Sequence, residues 1–260
     1  MTARHPRQDP SWGTYLQGFH TEHPGITERI LGRCRADGID PYQWCARPLA
    51  DQPGPILDLA CGSGPMADRL GGWIGTDTSA AELGAARDRQ RGPVLRASAT
   101  CLPIRTGAVD AAACSMGMQI IDPVAEALAE LARVLRSGGR AALLLPAAGP
   151  VPWRHAVTYG RLQVALRQQI RYPNADALRS AALRRASAAV GLPVTADERL
   201  AFTLPLDTAA DADELLTSLY LPGIDPARLD AGRRVLAGRV GGMLTVPLRR
   251  IVLERTEASG

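Results

Sequence analysis

Short apolar runs alternate with helical segments across residues 53–146, and this alternation limits the chain to few folds. Parallel strands joined by helices give such a rhythm, because the chain must cross back over the sheet before the next strand can begin. The apolar runs predict five strands, at 56–60, 73–77, 94–96, 109–116 and 140–145. The segments between them predict helices at 65–70, 79–91 and 122–135. The sequence therefore predicts a doubly wound parallel sheet.

The segments on either side of this core are mostly helical in their apolar spacing. After the fifth strand the pattern predicts helices at 153–171 and 174–190 and then strands at 198–204 and 246–255. We expect an α/β fold, a doubly wound Rossmann-like sheet of about seven strands with an N-terminal helical cap and a helical insertion after strand five. The predicted division is a cap (1–52), a core (53–147), a helical lid over the acceptor (148–192) and closing strands and helices of the same domain (193–260).

The apolar stretches and the cysteines indicate in which compartment we expect the protein. The longest uncharged apolar stretch, residues 141–148, is far shorter than the ~20 residues of a membrane-crossing helix. No apolar segment follows the basic N-terminus as it would in a signal peptide. We therefore expect a cytoplasmic protein without a membrane partner. The five cysteines include no Cys-x-x-Cys pair, which argues against a disulfide framework and a thiolate zinc site. The sequence leaves the oligomeric state open.

Positive charge is concentrated in residues 148–190, where seven arginines accompany the single acid Asp176. This excess is larger than the net charge of +4 on the whole chain. It could attract an acidic substrate or a nucleic acid, or it could belong to solvated helical faces. Arg184 and Arg185 fall late in a predicted helix, where cations offset the helix dipole.

The most specific stretch covers residues 57–65, where a strand passes through two glycines toward a helix. Gly62 and Gly64 let the backbone approach a ligand closely, and N–H groups at a helix start can bind it. Together with Ala67 they also fit the dinucleotide-binding pattern G-x-G-x-x-G/A. Asp58 would repel a pyrophosphate and attract an ammonium group, so it favours a positively charged ligand.

This stretch and the segments after it resemble the class I S-adenosylmethionine-dependent methyltransferases over roughly residues 53–146. The resemblance implies S-adenosyl-L-methionine as the cofactor. It also implies that the turn holds the methionine portion, at positions Asp58, Ala60, Gly62 and Gly64. Asp77, which ends the second strand and precedes Thr78, would bind the ribose hydroxyls, because a carboxylate can accept both hydrogens of a vicinal diol. Capping of the following helix is the structural alternative for Asp77.

The resemblance continues along the chain. Residues 96–103 look like the adenine-binding turn of the family, with Ser98 where aspartate is common and Ala99 beside it. Ser98 or the neighbouring backbone can still accept a hydrogen bond from the adenine amino group. Ser115 lies near the end of the fourth strand, and residues 131–139 are similar to the helix and the fifth-strand lead-in of the family. The segments thus recur in the order found in the family.

Side chains able to accept a proton are the remaining candidates. Methyl transfer gains much of its rate from positioning and desolvation, so a general base helps without being required. An imidazole titrates near neutrality and can take a proton from a phenol, an amine or an activated carbon. The preferred candidate base is His155, and His20, His23 and Tyr15 are the other candidates. The spacing of His20 and His23 could suit a metal ion, but the sequence shows no cluster of further ligands elsewhere. We therefore expect no metal site.

The leading hypothesis is an S-adenosylmethionine-dependent methyltransferase that acts on O, N or an activated C of a small molecule, such as a secondary metabolite. The alternative is an rRNA or tRNA methyltransferase that uses residues 148–190 to contact phosphates. No Asn/Asp-Pro-Pro-Tyr-like tetrapeptide stands at 115–118, which argues against methylation of a base amino group. A nicotinamide-dependent oxidoreductase, disfavoured by Asp58, and a non-catalytic cofactor-binding protein are further alternatives.

Overall fold

Seven strands form one mixed sheet in the computed structural model, which describes residues 10–169 and 172–256. Their order across the sheet is β3-β2-β1-β4-β5-β7-β6. The strands are β1 (Ile56–Leu59), β2 (Trp73–Asp77), β3 (Val94–Arg96), β4 (Val109–Ser115), β5 (Leu135–Pro146), β6 (Val194–Leu206) and β7 (Gly242–Glu254). The predicted α/β sheet of about seven strands is confirmed.

Nine α-helices lie in the described part of the chain. They are α1 (Pro10–Glu22), α2 (Ile26–Leu31), α3 (Pro41–Ala46), α4 (Ala80–Asp88), α5 (Val124–Val134), α6 (Trp153–Leu166), α7 (Ser180–Ala189), α8 (Ala209–Thr217) and α9 (Pro226–Ala237). The first three form the N-terminal cap, and α6 and α7 form the insertion after β5. None of these helices combines the length and the hydropathy that crossing a bilayer requires.

The direction of the strands decides where loops gather. Strands β1 to β5 run parallel, so the turns after β1, β2 and β4 meet at one carboxyl edge. Strand β7 runs antiparallel to both neighbours and pairs Leu248 with Pro146, the last residue of β5. Because β7 begins well before Leu248, at Gly242, its start extends past the same edge. The connection between β6 and β7, with α8 and α9, therefore also lies at this edge.

Alternate residues along the strands pack on opposite faces of the sheet, as strand geometry requires. Ile56 belongs to one buried cluster with Ala142 and with residues of α3, α6 and α9. Leu57 belongs to a second cluster with Ala141 and with residues of α5 and α7. Both faces of the central strands are thereby covered, which accounts for the nearly uninterrupted apolar runs in the sequence.

Several predicted helix boundaries were wrong. Residues 65–70 form successive turns rather than a helix, with hydrogen bonds such as Ala67 N–H to Gly64 O at 3.0 Å. So short a segment ahead of a Gly-Gly pair cannot propagate a helix. Helix α5 ends at Val134, before Gly138, because Leu135 already pairs with Val109 on β4. Helix α7 begins at Ser180, since the residues just before it form turns.

Candidate active site

A cavity of about 890 Å³ lies at the carboxyl edge of the sheet. Its walls come from the turns after β1, β2, β3 and β4, from α1, α2 and α4, and from Tyr220 between α8 and α9. Cavities of this size suit small molecules and cofactors. No described residue of 148–192 lines it, although Tyr172 packs against the wall residue Tyr220, with their ring centroids 6.1 Å apart. The role of that segment as a lid stays a prediction. The cover over this cavity is the N-terminal cap.

Asp77 is fixed against the glycine turn. Its Oδ2 accepts the N–H of Gly62 at 2.9 Å, and its Oδ1 accepts the N–H of Ser79 at 2.8 Å. Burial raises the pKa of this carboxyl, while the two N–H donors act in the opposite direction. Each carboxylate oxygen keeps a further lone pair for a ligand hydroxyl. Ser79 rather than Asp77 caps α4, so helix capping does not account for Asp77, and its role toward a ligand stays a prediction.

Backbone conformation at the cavity wall is unusual at two residues that are not glycine. Ala60, after β1, has φ +53° and Met116, after β4, has φ +56°, and both line the cavity. The neighbouring Gly117 allows them to approach, because a Cβ there would lie 2.8 Å from the Cβ of Ala60. The Ser115 hydroxyl is buried on the same wall without a hydrogen-bond partner among the described residues. Strained backbone and an unpaired polar group are features of binding sites.

A chain of three polar side chains crosses the cavity wall from α4 to the connection between α8 and α9. Glu82 Oε1 lies 3.0 Å from His20 Nδ1, and His20 Nε2 lies 3.2 Å from the Tyr220 hydroxyl. Glu82 is buried and its Oε2 also accepts the N–H of Gly25 at 2.9 Å. Burial strongly raises the pKa of Tyr220, so its hydroxyl is protonated and donates to His20 Nε2. Glu82 then holds the proton of His20 on Nδ1.

The predicted cofactor residues divide into two groups. Those on the cavity wall are Ala60, Gly62, Asp77, Thr78, Ser98, Ala99 and Ser115. Asp58 and Gly64 do not line it. A Cβ on Gly64 would lie 3.2 Å from Trp73 and 3.3 Å from Arg91, so close packing accounts for that glycine. On the wall, Ser98 already accepts the N–H of Thr100 at 3.2 Å.

Asp58 lies beneath the turn rather than beside a ligand. It is 1% exposed, and its Oδ2 accepts the indole N–H of Trp73 at 3.0 Å. Burial raises its pKa to about 7, with a further upward contribution from Asp77. The prediction that Asp58 attracts an ammonium group is thus not supported by its position. Its side chain leaves β1 toward the core, on the face where Trp73 packs.

Asp58 should make folding stability depend on pH. Because its folded pKa is raised above the unfolded value near 4, the native state binds more protons between about pH 4 and 7, and stability falls as pH rises through that window. We expect the free energy of unfolding, relative to Asp58→Asn, to fall by roughly 2–3 kcal/mol between about pH 5 and 8. Urea unfolding at several pH values measures it. A parallel pH profile for the two proteins, with exposed Asp88→Asn as control, would contradict this.

The candidate bases lie in different places. His20 lines the cavity, whereas His23, Tyr15 and His155 do not. The Tyr15 hydroxyl accepts the N–H of Leu221 at 2.8 Å and serves packing of the cap. His155 is buried, and its Nδ1 lies 2.8 Å from the Thr245 hydroxyl on β7. The preference for His155 as the base is corrected by this placement, because α6 turns that side chain toward β7.

Two residues of the site were missed from the sequence. Glu82 stands three residues after Ser79, a spacing typical of a helix cap, and Ser79 Oγ does accept the Glu82 N–H at 3.3 Å. The carboxylate, however, reaches His20 and Gly25 instead of returning to the cap. Tyr220 had no local signal. In the described residues no group of three His, Cys, Asp or Glu side chains could hold a metal ion.

The wall residues fit a cationic cofactor with a ribose. Acidic side chains on the wall include Asp77, Glu82 and Asp122, against the basic Arg96. Glu28 also lines the cavity but is paired with Arg91 at 2.7 Å. A sulfonium and an ammonium group are stabilised by such surroundings. Asp77 offers free lone pairs to a vicinal diol, and Gly62 leaves the approach to the turn open. S-adenosylmethionine carries a sulfonium, an ammonium group and a ribose diol, and it therefore fits this wall. The pyrophosphate of NAD would be repelled by the carboxylates.

Part of the chain is similar in sequence to known methyltransferases. The family model described as methyltransferase domain matches residues 57–143. The chain is 35% identical over 116 residues to 2-phytyl-1,4-naphtoquinone methyltransferase of Synechococcus elongatus, covering 39% of this chain and 48% of that protein. It is 35% identical over 130 residues to demethylmenaquinone methyltransferase of Thermus thermophilus, covering 44% and 59%. The chain spans about half the length of these curated relatives.

A solved structure extends the likeness to almost the whole chain. Geranyl diphosphate methyltransferase in complex with GPP and sinefungin superimposes with a TM-score of 0.51 at 20% identity, covering 95% of this chain and 100% of that one. At this identity the likeness concerns the fold alone. The fold of nearly the whole chain is thus similar to the fold of that structure.

Proposed function

Because residues 57–143 belong to the class I S-adenosylmethionine-dependent methyltransferases, we propose that this protein transfers a methyl group from S-adenosylmethionine to a small molecule. One observation carries the proposal: the Asp77 carboxylate is held against Gly62 on the wall of a cavity of about 890 Å³. When bound, the cofactor supplies an electrophilic methyl group on a sulfonium. Asp77 would bind the ribose hydroxyls, and Gly62 and Ala60 would receive the methionine portion.

Tyr220, His20 and Glu82 provide a route for the acceptor proton. The Tyr220 oxygen can take a proton from the acceptor while its own proton passes to His20 Nε2, 3.2 Å away. Glu82 stabilises the imidazolium that results, from 3.0 Å. The arrangement favours an acceptor that must lose a proton, such as a phenol, an enol or a quinol. Both curated relatives carry the name of a quinone, and the reduced form of a quinone is an acceptor of this kind.

An RNA acceptor has less support. Two of the described arginines of 148–190 lie near acids, since Arg179 pairs with Asp176 at 3.1 Å and Arg184 lies 3.9 Å from Asp197 on β6. Arg154 and Arg161 lie elsewhere, on α6. The comparisons that name an acceptor name small molecules, not RNA. The small-molecule function is therefore the one we propose.

Isothermal titration with S-adenosylmethionine, S-adenosylhomocysteine and NAD, each alone, tests the cofactor. We expect both sulfur compounds to bind and NAD to give no heat of binding. Tight NAD binding without a response to the other two would overturn the proposal. Transfer of radiolabelled methyl to a panel of quinols, phenols and amines then tests the acceptor class, with transfer RNA as the competing substrate.

Asp77→Ala should weaken binding of S-adenosylmethionine by about 1.5–3 kcal/mol, because a charged acceptor is removed from two hydroxyl donors. Titration calorimetry measures the loss. The exposed Asp88 on α4 gives a matched control, and Asp88→Ala should bind as the wild type does. Unchanged affinity in a folded Asp77→Ala protein would mean that the ribose is held elsewhere.

A further inference from the structure

A groove between α6 and α9 is lined by arginines and apolar side chains. Its lining residues are Trp153, Arg154, Val157, Thr158, Arg161, Arg234, Val235, Gly238 and Arg239. We call it the α6–α9 surface. No acid lines the groove, and none of its four arginines forms an ion pair with a described residue. Arg233, which lies next to the groove on α9, is by contrast paired with Asp213 and Asp230.

Unpaired charge here is accompanied by unusual apolar exposure. Trp153 is 79% exposed and Val164 is 76% exposed, and with Val157 they stand on one face of α6. Two more exposed hydrophobic side chains, Val240 and Met243, lie in the segment after α9. Together these five make up all but one of the six large exposed hydrophobic side chains in the described residues. Such a concentration marks an interaction surface rather than scattered exposed residues.

The surface lies at the edge of the sheet that carries the cavity. Helix α6 begins just beyond the carboxyl end of β5, and its His155 contacts Thr245 near the start of β7. Met243 lies two residues before Thr245, on the same face of β7. Trp153, Arg154 and Val157 thus lie in the first turns of α6 at this edge, and Val164 lies further along the same helix. Arg234 and Arg239 line the groove from α9 and the residues after it.

We propose that the α6–α9 surface docks this protein on the surface of an anionic lipid bilayer. One guanidinium group can donate two hydrogen bonds to two oxygens of the same phosphate, so the arginines of the groove fit the phosphates of lipid headgroups. Tryptophan is favoured at the level of the headgroups, and valine gains from contact with the acyl boundary. An RNA would satisfy the arginines but would leave Val157 and Val164 against polar groups. The proposal revises the expectation of no membrane partner, which rested on the lack of a spanning segment.

Vesicle flotation tests the proposal with the full chain. We expect binding to phosphatidylcholine vesicles that contain phosphatidylglycerol, weak binding to phosphatidylcholine alone, and loss of binding as salt screens the charges. Arg161→Gln with Arg234→Gln should weaken binding about 30-fold, from about 1 kcal/mol per arginine. The matched control replaces exposed Arg87 and Arg105 with glutamine. Arg87 lies on α4 and Arg105 in the connection between β3 and β4, so both are outside the α6–α9 surface, and this variant should bind as the wild type does.

Insertion of Trp153 gives a second measurement. Its fluorescence should shift to shorter wavelength on anionic vesicles and be quenched by brominated lipid, and Trp153→Phe should lose that response while unfolding at the wild-type temperature. Equal binding to neutral and anionic vesicles, or no binding to either, would overturn the proposal. Competition by free glycerol phosphate at equal strength would assign the groove to a soluble phosphate instead, and retention by polyuridylate without vesicle binding would assign it to RNA. None of these outcomes depends on methyl transfer.

Discussion

Replacing Gly62 with valine is expected to abolish detectable cofactor binding, a loss of about 3 kcal/mol or more, or at least roughly a hundredfold in Kd. Gly62 has φ +53°, where a β-branched side chain is strained. A Cβ there would lie 3.5 Å from Glu82 Oε2, so its branches would occupy the cavity between the turn and α4. The same change would disturb the Gly62 N–H that holds Asp77. Titration with S-adenosylmethionine measures the effect.

A control variant at a second glycine distinguishes the effect of backbone strain from the effect of losing the binding site. Gly107 has φ +65°, a Cβ added to it would have no heavy atom within 4 Å, and it does not line the cavity. Gly107→Val should therefore lower stability without changing the affinity for the cofactor. Retained binding in Gly62→Val would refute the assignment of the turn, and equal loss of binding in both variants would attribute the effect to general destabilisation.

Replacing His20 with alanine is expected to lower the rate of methyl transfer about 10²-fold or more at neutral pH, because His20 receives the acceptor proton. The loss should shrink at high pH, where the acceptor ionises without help. His20→Asn keeps a donor for the buried Glu82 but cannot take up a proton, so it should lose the rate while folding normally. Single-turnover rates across pH measure this.

Variants of the neighbouring residues distinguish a base from a packing residue. His23 lies just past the end of α1, outside the cavity, and His23→Ala should keep the rate within a few-fold. Tyr220→Phe should lose rate if the tyrosine oxygen relays the proton, and should retain it if His20 acts directly. A full-rate His20→Ala enzyme would remove His20 from the chemistry, and a slow enzyme without rescue at high pH would leave it a positioning role.

The parts of the fold that follow from local pattern were predictable from the sequence. The alternation over residues 53–146 predicted the parallel sheet, because buried strands and amphipathic helices each leave their own apolar spacing. Gly62 was singled out by the glycine turn, and the role of Asp77 was implied by the resemblance to class I methyltransferases. The structure joins the two residues, 15 positions apart, because the turn after β1 meets the end of the parallel strand β2. Short apolar runs also set the approximate bounds of β6 and β7.

Tertiary structure alone decided which polar side chains meet. Glu82 and His20 are 62 residues apart, and His20 and Tyr220 are 200 residues apart. A polar residue on a helix has the same local pattern whether it faces solvent or a cavity, so only the docking of the cap and of the connection between α8 and α9 brings these three together. The same limit explains why His155 was preferred over His20.

Orientation across the sheet was equally beyond the sequence. Asp58 stands in the expected motif, yet its side chain leaves β1 toward Trp73 and away from the cavity, because the pleat directs alternate residues to opposite faces. The sequence showed the excess of arginines in 148–190 only as a count. The packing of the helices decided which of them lie near acids, at α7, and which line the groove against α9 without an ion pair. Local spacing determined the framework of this protein, and long-range packing determined its chemistry.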